Sequence, residues 1–191
     1  AGTMFSAFGS DAIFDRLDNS GAKILITSEE LKPRLETIRR KLPDLKHVVT
    51  LTQLAKHLSG QSDELHTSHT HPDDPAFMLY TSGTTGKPKG VIHAHQAIIQ
   101  EHLTAKYVLD LKPSDVYWCT ADPGWVTGIA YQILGTLSNG ASTVVFSGRF
   151  DPKTWYKIIE KYHVTVWYSA PTAIRMLQAA GDELVRFHNL S

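Results

Sequence analysis

A ten-residue run, Thr81-Ser82-Gly83-Thr84-Thr85-Gly86-Lys87-Pro88-Lys89-Gly90, constrains this chain more than any other stretch. It follows Ala76-Phe77-Met78-Leu79-Tyr80, which reads as a buried strand, and precedes the β-like run Val91-Ile92-His93. A connection so dense in hydroxyls, glycines and lysines has almost no apolar surface to bury, and its chemistry suits a polyphosphate. Gly83 and Gly86 let the backbone come close to phosphate oxygens and present its N–H groups to them. The hydroxyls of Thr81, Ser82, Thr84 and Thr85 donate further hydrogen bonds. Lys87 and Lys89 bring charge, and charge-assisted hydrogen bonds are the stronger kind. The bland alternative is a polar surface loop between two strands.

A Walker A loop is excluded. That motif needs G-x-x-x-x-G-K-[ST] opening directly into a helix. Here Gly83 and Gly86 are too close together, Lys87 is followed by Pro88, which has no N–H to give, and the next run is β-branched. A phosphate-loop kinase or GTPase therefore fails on spacing, chemistry and context.

Around the loop, β-like runs alternate with helix signals. Helices are expected over Gly9 to Ser20, from a Ser28 cap to Lys41, and over Thr52 to Leu58. Strands are expected over Lys23 to Thr27 and His47 to Leu51. Ser59 to Pro75 is polar and rich in turn formers, and reads as an exposed connector. Beyond the loop, helices are expected over Ala94 to Leu109, Gly128 to Leu137, Asp151 to Tyr162 and Pro171 to Ala180. Strands are expected over Asp115 to Thr120, Ser142 to Phe146 and Thr165 to Ser169. Asp151-Pro152 opens its helix with a capping acid and a proline in the first turn. Strands separated by helices of this length predict an α/β fold of parallel βαβ units, layered αβα with largely parallel sheets. The nearly continuous apolar character of the strands predicts that both sheet faces are covered. The organisation expected is a first βα region with its connector, residues 1–75, then a phosphate-loop and acyl-pocket region, residues 76–191, both parts of one domain.

Charge excludes some partners. Lys and Arg together number 19, as do Asp and Glu, so nothing points to nucleic acid or an anionic membrane. No apolar stretch approaches the roughly 20 residues that span a bilayer, and no secretory signal is visible. The single cysteine, Cys119, excludes an intrachain disulfide and fits a reducing, cytoplasmic compartment. At the end of an apolar strand it reads as a small buried hydrophobe. His66, His69 and His71 lie close in sequence, and His93 alternates with His95. Without a convergent third or fourth donor they predict no metal centre.

Tyr80 to Gly90 resembles, position for position, the signature loop of the AMP-forming adenylating enzymes, Tyr/Phe-Thr-Ser-Gly-Thr-Thr-Gly-x-Pro-Lys-Gly. These include acyl-CoA synthetases, luciferases and peptide-synthetase adenylation domains. The likeness extends to Met4-Phe5-Ser6-Ala7-Phe8-Gly9, Asp122-Pro123-Gly124-Trp125-Val126-Thr127-Gly128 and Trp167-Tyr168-Ser169-Ala170-Pro171-Thr172-Ala173-Ile174-Arg175. It covers essentially the whole chain and is strongest toward the acetyl-CoA synthetase branch. The resemblance implies part of the large domain of the adenylate-forming fold. It also implies a two-step reaction, in which a carboxylate attacks the α-phosphate of ATP and CoA then displaces AMP, with Mg²⁺ accompanying the nucleotide.

By the same resemblance Thr81, Ser82, Gly83, Thr84, Thr85, Gly86 and Lys89 contact phosphate, while Lys87 sits at the variable position. Trp125, Val126 and Thr127 belong to the acyl side, where a wall of β-branched residues suits a short-chain carboxylate such as acetate. For Val126 ordinary core packing is the alternative, and for Trp118 and Trp125, which bracket the loop, core packing is the default reading. The branch's commoner W-V-T-G-H-S-Y reads here as Ile129-Ala130-Tyr131 after the glycine, which implies a different shape on the acyl or CoA side.

The Mg²⁺-holding Glu, the ribose-binding Asp, the adenine-stacking strip, the hinge and the catalytic lysine of the family have no counterpart here. The expectation is therefore an internal fragment of the large domain, inactive alone, with no catalytic residue of its own to assign. The competing reading is a truncated nucleotide-binding or oligomerisation module, self-associating through exposed strand edges.

Overall fold

A computed structural model describes residues 1–81 and 86–190. The chain divides into two compact units, Ala1–His95 and Gln96–Ser191. Among the described residues no helix is long and apolar enough to cross a membrane.

The first unit is organised around α1, Ser10–Ser20, which ends in left-handed Gly21. Ile13 and Leu17, four residues apart, share one face of the helix and bury together with Leu35, Ile38, Leu42 and Leu45. The helix expected from Ser28 to Lys41 is replaced by two short 3₁₀ turns, Lys32–Leu35 and Arg39–Lys41. Pro33 is the reason. A helix capped by Ser28 would place its ring against the carbonyl of Glu29 and lose the matching hydrogen bond, so the coil starts at Lys32, where Pro33 falls in the first turn. The helical spacing of the apolar residues still brings Leu35, Ile38 and Leu42 to the core.

Strands β1 (Ile24–Thr27) and β2 (His47–Thr50) pair in parallel, Ile24 opposite His47 and Thr27 opposite Thr50. Leu25 and Val48 pack inward on the α1 cluster. Ile24 and Ile26 are 60% and 52% exposed, so only one face of this small sheet is covered, contrary to the expectation from its apolar run. Thr50 caps α2, Leu51–Leu58, through a reciprocal box with Gln53. The connector, residues 59–75, is exposed throughout. Strands β3 (Pro75–Thr81) and β4 (Lys89–Ala94) then form an antiparallel hairpin, with a register irregularity near Pro75. Only Leu79 of β3 is buried, so this strand is half covered rather than buried. Among the described residues the hairpin is the antiparallel exception to the parallel pairing of the other strands.

The second unit holds a parallel three-stranded sheet in the order β6 (Ser142–Val144), β5 (Val116–Cys119), β7 (Val166–Tyr168). Its central strand carries Tyr117, Trp118 and Cys119, all fully buried, as expected for a strand covered on both faces. Trp118 meets Trp155 edge-on at 5.2 Å and stacks with Trp167 at 6.2 Å. Tyr156, Ile158, Ile159 and Leu177 complete that cluster. Burial pushes both the Tyr117 phenol and the Cys119 thiol above their ordinary values.

Helix α3, Ala97–Tyr107, starts later than expected because Ala94 belongs to β4. Helix α5, Pro152–Tyr162, is capped as expected, with Asp151 accepting from the Thr154 N–H at 2.8 Å. Helix α6 spans Pro171–Ala179. The segment expected as one helix from Gly128 to Leu137 is instead a π-helical stretch, Gly128–Gly135, running into the short α4, Thr136–Ser138. The Thr136 hydroxyl donates to the Tyr131 carbonyl five residues back, a side-chain bond that competes with the ordinary helical ladder. Near the end of the described chain, the Glu160 carboxylate takes the His188 Nδ1 at 2.7 Å and the Asn189 N–H at 3.1 Å.

Two outcomes are expected. Thr50→Ala removes a cap whose hydroxyl is buried and lowers stability by about 1 kcal/mol, read as a shift of the urea midpoint at constant slope. The bond from His188 holds the Glu160 carboxyl below its ordinary value of 4.5. A depressed folded value stabilises at pH above the ordinary range and is lost as pH falls through the folded value. The Asn189 amide NMR signal is therefore expected to move toward its unfolded position only below the ordinary range, and to be displaced at neutral pH in Glu160→Ala.

Candidate functional site

The hairpin register sets the mouth of the decapeptide. Thr81 lies opposite Lys89, and Tyr80 opposite Gly90. The two strands thus bring the first residue of the run beside its lysine and leave the intervening residues to bridge between them. Of the residues expected at phosphate, Ser82, Gly83, Thr84 and Thr85 lie outside the described residues. Thr81, Gly86 and Lys89 are described and exposed to solvent. Gly86 has φ +86°, a left-handed conformation that side chains strain to adopt. Exposure, a lysine ammonium and a glycine backbone at one hairpin end can together receive an anion from solvent.

The hairpin is anchored to α1. The Tyr80 hydroxyl lies 2.9 Å from Asn19 Oδ1 and 3.0 Å from the Arg16 carbonyl oxygen. Burial raises the Tyr80 phenol above its ordinary value. The Arg16 guanidinium sits 4.0 Å over the Phe8 ring and 5.5 Å from the centre of the Tyr80 ring, and its Nη1 donates to the Ala12 carbonyl at 2.8 Å. Desolvation lowers its pKa from the ordinary arginine value. Beside this group is a cavity of about 360 Å³ lined by Met4, Arg16, Ile24, Phe77 and Tyr80 among others. Asn19 was invisible as a partner in the sequence, because 61 residues separate it from Tyr80 and no local pattern links them.

In the second unit, Asp122 to Gly128 forms a tight turn. Asp122 Oδ1 accepts from the Gly124 N–H at 2.7 Å, and its carbonyl accepts from the Trp125 N–H at 2.9 Å. Gly128 is packed beneath this turn. A Cβ there would come within 2.7 Å of the Asp122 carbonyl carbon and 2.8 Å of Pro123 Cα. The turn presents Trp125 and Val126 outward, 45% and 54% exposed, with Thr127 half-buried where the π-helical stretch begins. Trp125 and Val126 are thus partly exposed, whereas Trp118 is a core residue. Thr120 and Ser169 hydroxyls meet at 2.8 Å across the ends of β5 and β7. A second cavity of about 450 Å³ lies between β6 and α5, beside Thr143, Phe146, Lys157 and Tyr162. Trp125, Val126 and Thr127 line neither cavity.

Among the described residues no group of three or more His, Cys, Asp or Glu could hold a metal ion. His93 stacks on Phe77 at 4.7 Å, and His71 lies 3.6 Å from Asp73 on the exposed connector.

The model of one protein family, described as AMP-binding enzyme, matches residues 2–190. The chain belongs to the AMP-binding enzyme family. An acetyl-coenzyme A synthetase of Bacillus subtilis (strain 168) is 46% identical over 201 residues, spanning 100% of this chain and 35% of the relative. That of Pyrobaculum aerophilum is 36% identical, spanning 98% of this chain and 32% of its own length. A Brucella canis acyl-CoA synthetase structure superposes with TM-score 0.86 at 31% identity, over 95% of this chain and 34% of that one. An anthranilate CoA ligase in complex with anthranoyl-AMP gives TM-score 0.88 at 27% identity, over 98% and 37% of the two chains. The chain thus spans about a third of the length of the relatives it matches. Its mixed α/β architecture with parallel sheets is that of the adenylate-forming enzymes.

Gly128→Ala is expected to open the 122–128 turn, because the atoms it would strike are backbone and have no side-chain freedom to yield. The expected readout is a loss of about 1–3 kcal/mol of stability, with faster amide exchange at Gly124 and Trp125 than at β5.

Proposed function

We propose that this AMP-binding chain supplies the polyphosphate cradle and part of the acyl wall of an AMP-forming acyl-CoA synthetase acting on acetate or another short-chain carboxylate. The observation that carries this reading is the hairpin register, in which Thr81 stands opposite Lys89 at the two ends of the hydroxyl- and glycine-rich run. The relatives' names as acetyl-coenzyme A synthetases support the choice of acid.

The chemistry asks for charge compensation. A carboxylate oxygen forms a bond to the α-phosphorus of ATP while the bond from that phosphorus to pyrophosphate breaks, so an anion approaches a polyanion. Preorganised donors aimed at the phosphates lower that barrier. Thr81, Ser82, Thr84 and Thr85 offer hydroxyls, Gly83 and Gly86 offer backbone N–H groups, and Lys89 offers its ammonium to the β- and γ-phosphates. In the second step the CoA sulfur attacks the acyl carbon, the carbon–oxygen bond to AMP breaks, and the thioester leaves with AMP as co-product. Trp125, Val126 and Thr127 are assigned to the acyl side, and Trp125 and Val126 are both partly exposed. A pocket of this kind discriminates by only about 1–3 kcal/mol per methylene, which is why the acid is assigned as a class. Mg²⁺ enters as the MgATP substrate; the described residues provide no carboxylate cluster to hold it, and no step is assigned to it on this chain.

The test is carboxylate-dependent exchange of pyrophosphate into ATP with Mg²⁺. The 191-residue chain is expected to give none, and a form extended to the relatives' length is expected to exchange with acetate. In the extended form Lys89→Ala should lower the rate by about 100-fold, the scale for removing one preorganised donor. Exchange by the short chain, or an extended Lys89→Ala as active as its parent, would overturn the assignment.

A further inference from the structure

The motif is bounded by two residues to which no phosphate contact is assigned, Tyr80 at its head and Gly90 at its end. They are directly paired across the hairpin, and the next pair of the ladder is Thr81 with Lys89. The Tyr80 hydroxyl reaches 2.9 Å to Asn19 Oδ1 and 3.0 Å to the Arg16 carbonyl, both on the last turns of α1. Gly90 makes room for this arrangement. A Cβ on it would fall 2.9 Å from Met78 Sδ, 3.3 Å from Tyr80 Cε1 and 3.4 Å from Asn19 Oδ1. The Tyr80 ring therefore lies over the bare backbone of Gly90 and points its hydroxyl at the helix. Three chain segments meet at this point, and the two residues beyond it carry the proposed phosphate contacts.

We propose that Asn19 and Tyr80 are positioning residues for polyphosphate, clamping the root of the hairpin to α1 so that Thr81 and Lys89 are held at a fixed separation and angle. This rests on the phosphate reading given above. Neither side chain touches the nucleotide in this account; each acts through the strand ends. The clamp gives Gly90 a steric role, because its missing Cβ leaves room for the Tyr80 ring and Asn19, and it ties Tyr80 to a residue 61 positions earlier in the chain.

The clamp is tested by a double-mutant cycle in the extended protein, with MgATP as the varied substrate in acetate-dependent pyrophosphate exchange. Tyr80→Phe keeps the ring and removes the hydroxyl; Asn19→Ala removes its partner. Asn19→Ala should raise KM for ATP by up to about five-fold, the change that one lost hydrogen bond of ordinary strength corresponds to, and Tyr80→Phe, which also gives up the Arg16 carbonyl, should raise it at least as much. KM for acetate and the urea midpoint of the chain should move far less. The double variant should be no worse than the poorer single one, because both substitutions break one contact. Gly90→Ala should show the same selective rise in KM for ATP. The proposal is overturned if Tyr80→Phe and Asn19→Ala leave KM for ATP at the parental value while Lys89→Ala weakens it, or if their effects simply multiply. If Lys89→Ala is also without effect, the phosphate reading itself fails and the clamp falls with it.

Discussion

The interaction on which the first unit turns is the antiparallel ladder between β3 and β4, which returns the backbone at Lys89 beside Thr81. The run between them is hydrophilic and offers almost no apolar surface to bury, so the ladder sets where its two ends stand. Much of the first unit serves this arrangement. Leu79 is buried, His93 stacks on Phe77, and the hydroxyl of Tyr80 reaches α1. Helix α1 is in turn seated by Ile13 and Leu17 among the leucines of the following 3₁₀ turns. A cluster of aliphatic side chains thereby reaches the mouth of a hydrophilic loop through one helix and one phenol.

The second unit solves a different problem, the support of an outward-facing turn. Its strand β5 is buried along Tyr117, Trp118 and Cys119, and the tryptophan cluster beneath it leaves the strand little freedom. The Asp122 turn follows directly, and the close approach of Gly128 to the Asp122 and Pro123 backbone fixes how far it can open. The packed backbone beneath them sets the turn on which Trp125 and Val126 stand half-exposed. In both units an exposed stretch lies beside a glycine that admits a neighbour where a Cβ would be crowded.

The strand and helix order was legible because it rests on local signals: the β-branched runs at Ile24 and His47, the aromatic run after Val116, and the Asp151-Pro152 start of α5. The motif was legible because its chemistry is written in consecutive residues. Three features were not. The turns after Ser28 depended on one proline overriding a helical period that otherwise persists in Leu35, Ile38 and Leu42. The π-helical stretch at Gly128–Gly135 depended on a side-chain bond from Thr136, and propensity carries no trace of it. The Asn19–Tyr80 contact is long-range, and neither residue type is unusual where it stands. Exposure of Ile24 and Ile26 was likewise hidden, since an apolar strand reads the same whether one face or two are covered.

Cys119 has a practical consequence of its own. It is the chain's one cysteine and is 1% exposed, in the middle of the second unit's sheet. A thiol reagent can reach it only when that unit opens, which also relieves the burial that raises the thiol pKa in the folded state. The chain therefore carries an internal clock for its own breathing. The rate at which the thiol becomes labelled under native conditions counts openings of the tryptophan-lined half alone, while the half that carries the hydroxyl-rich loop stays silent.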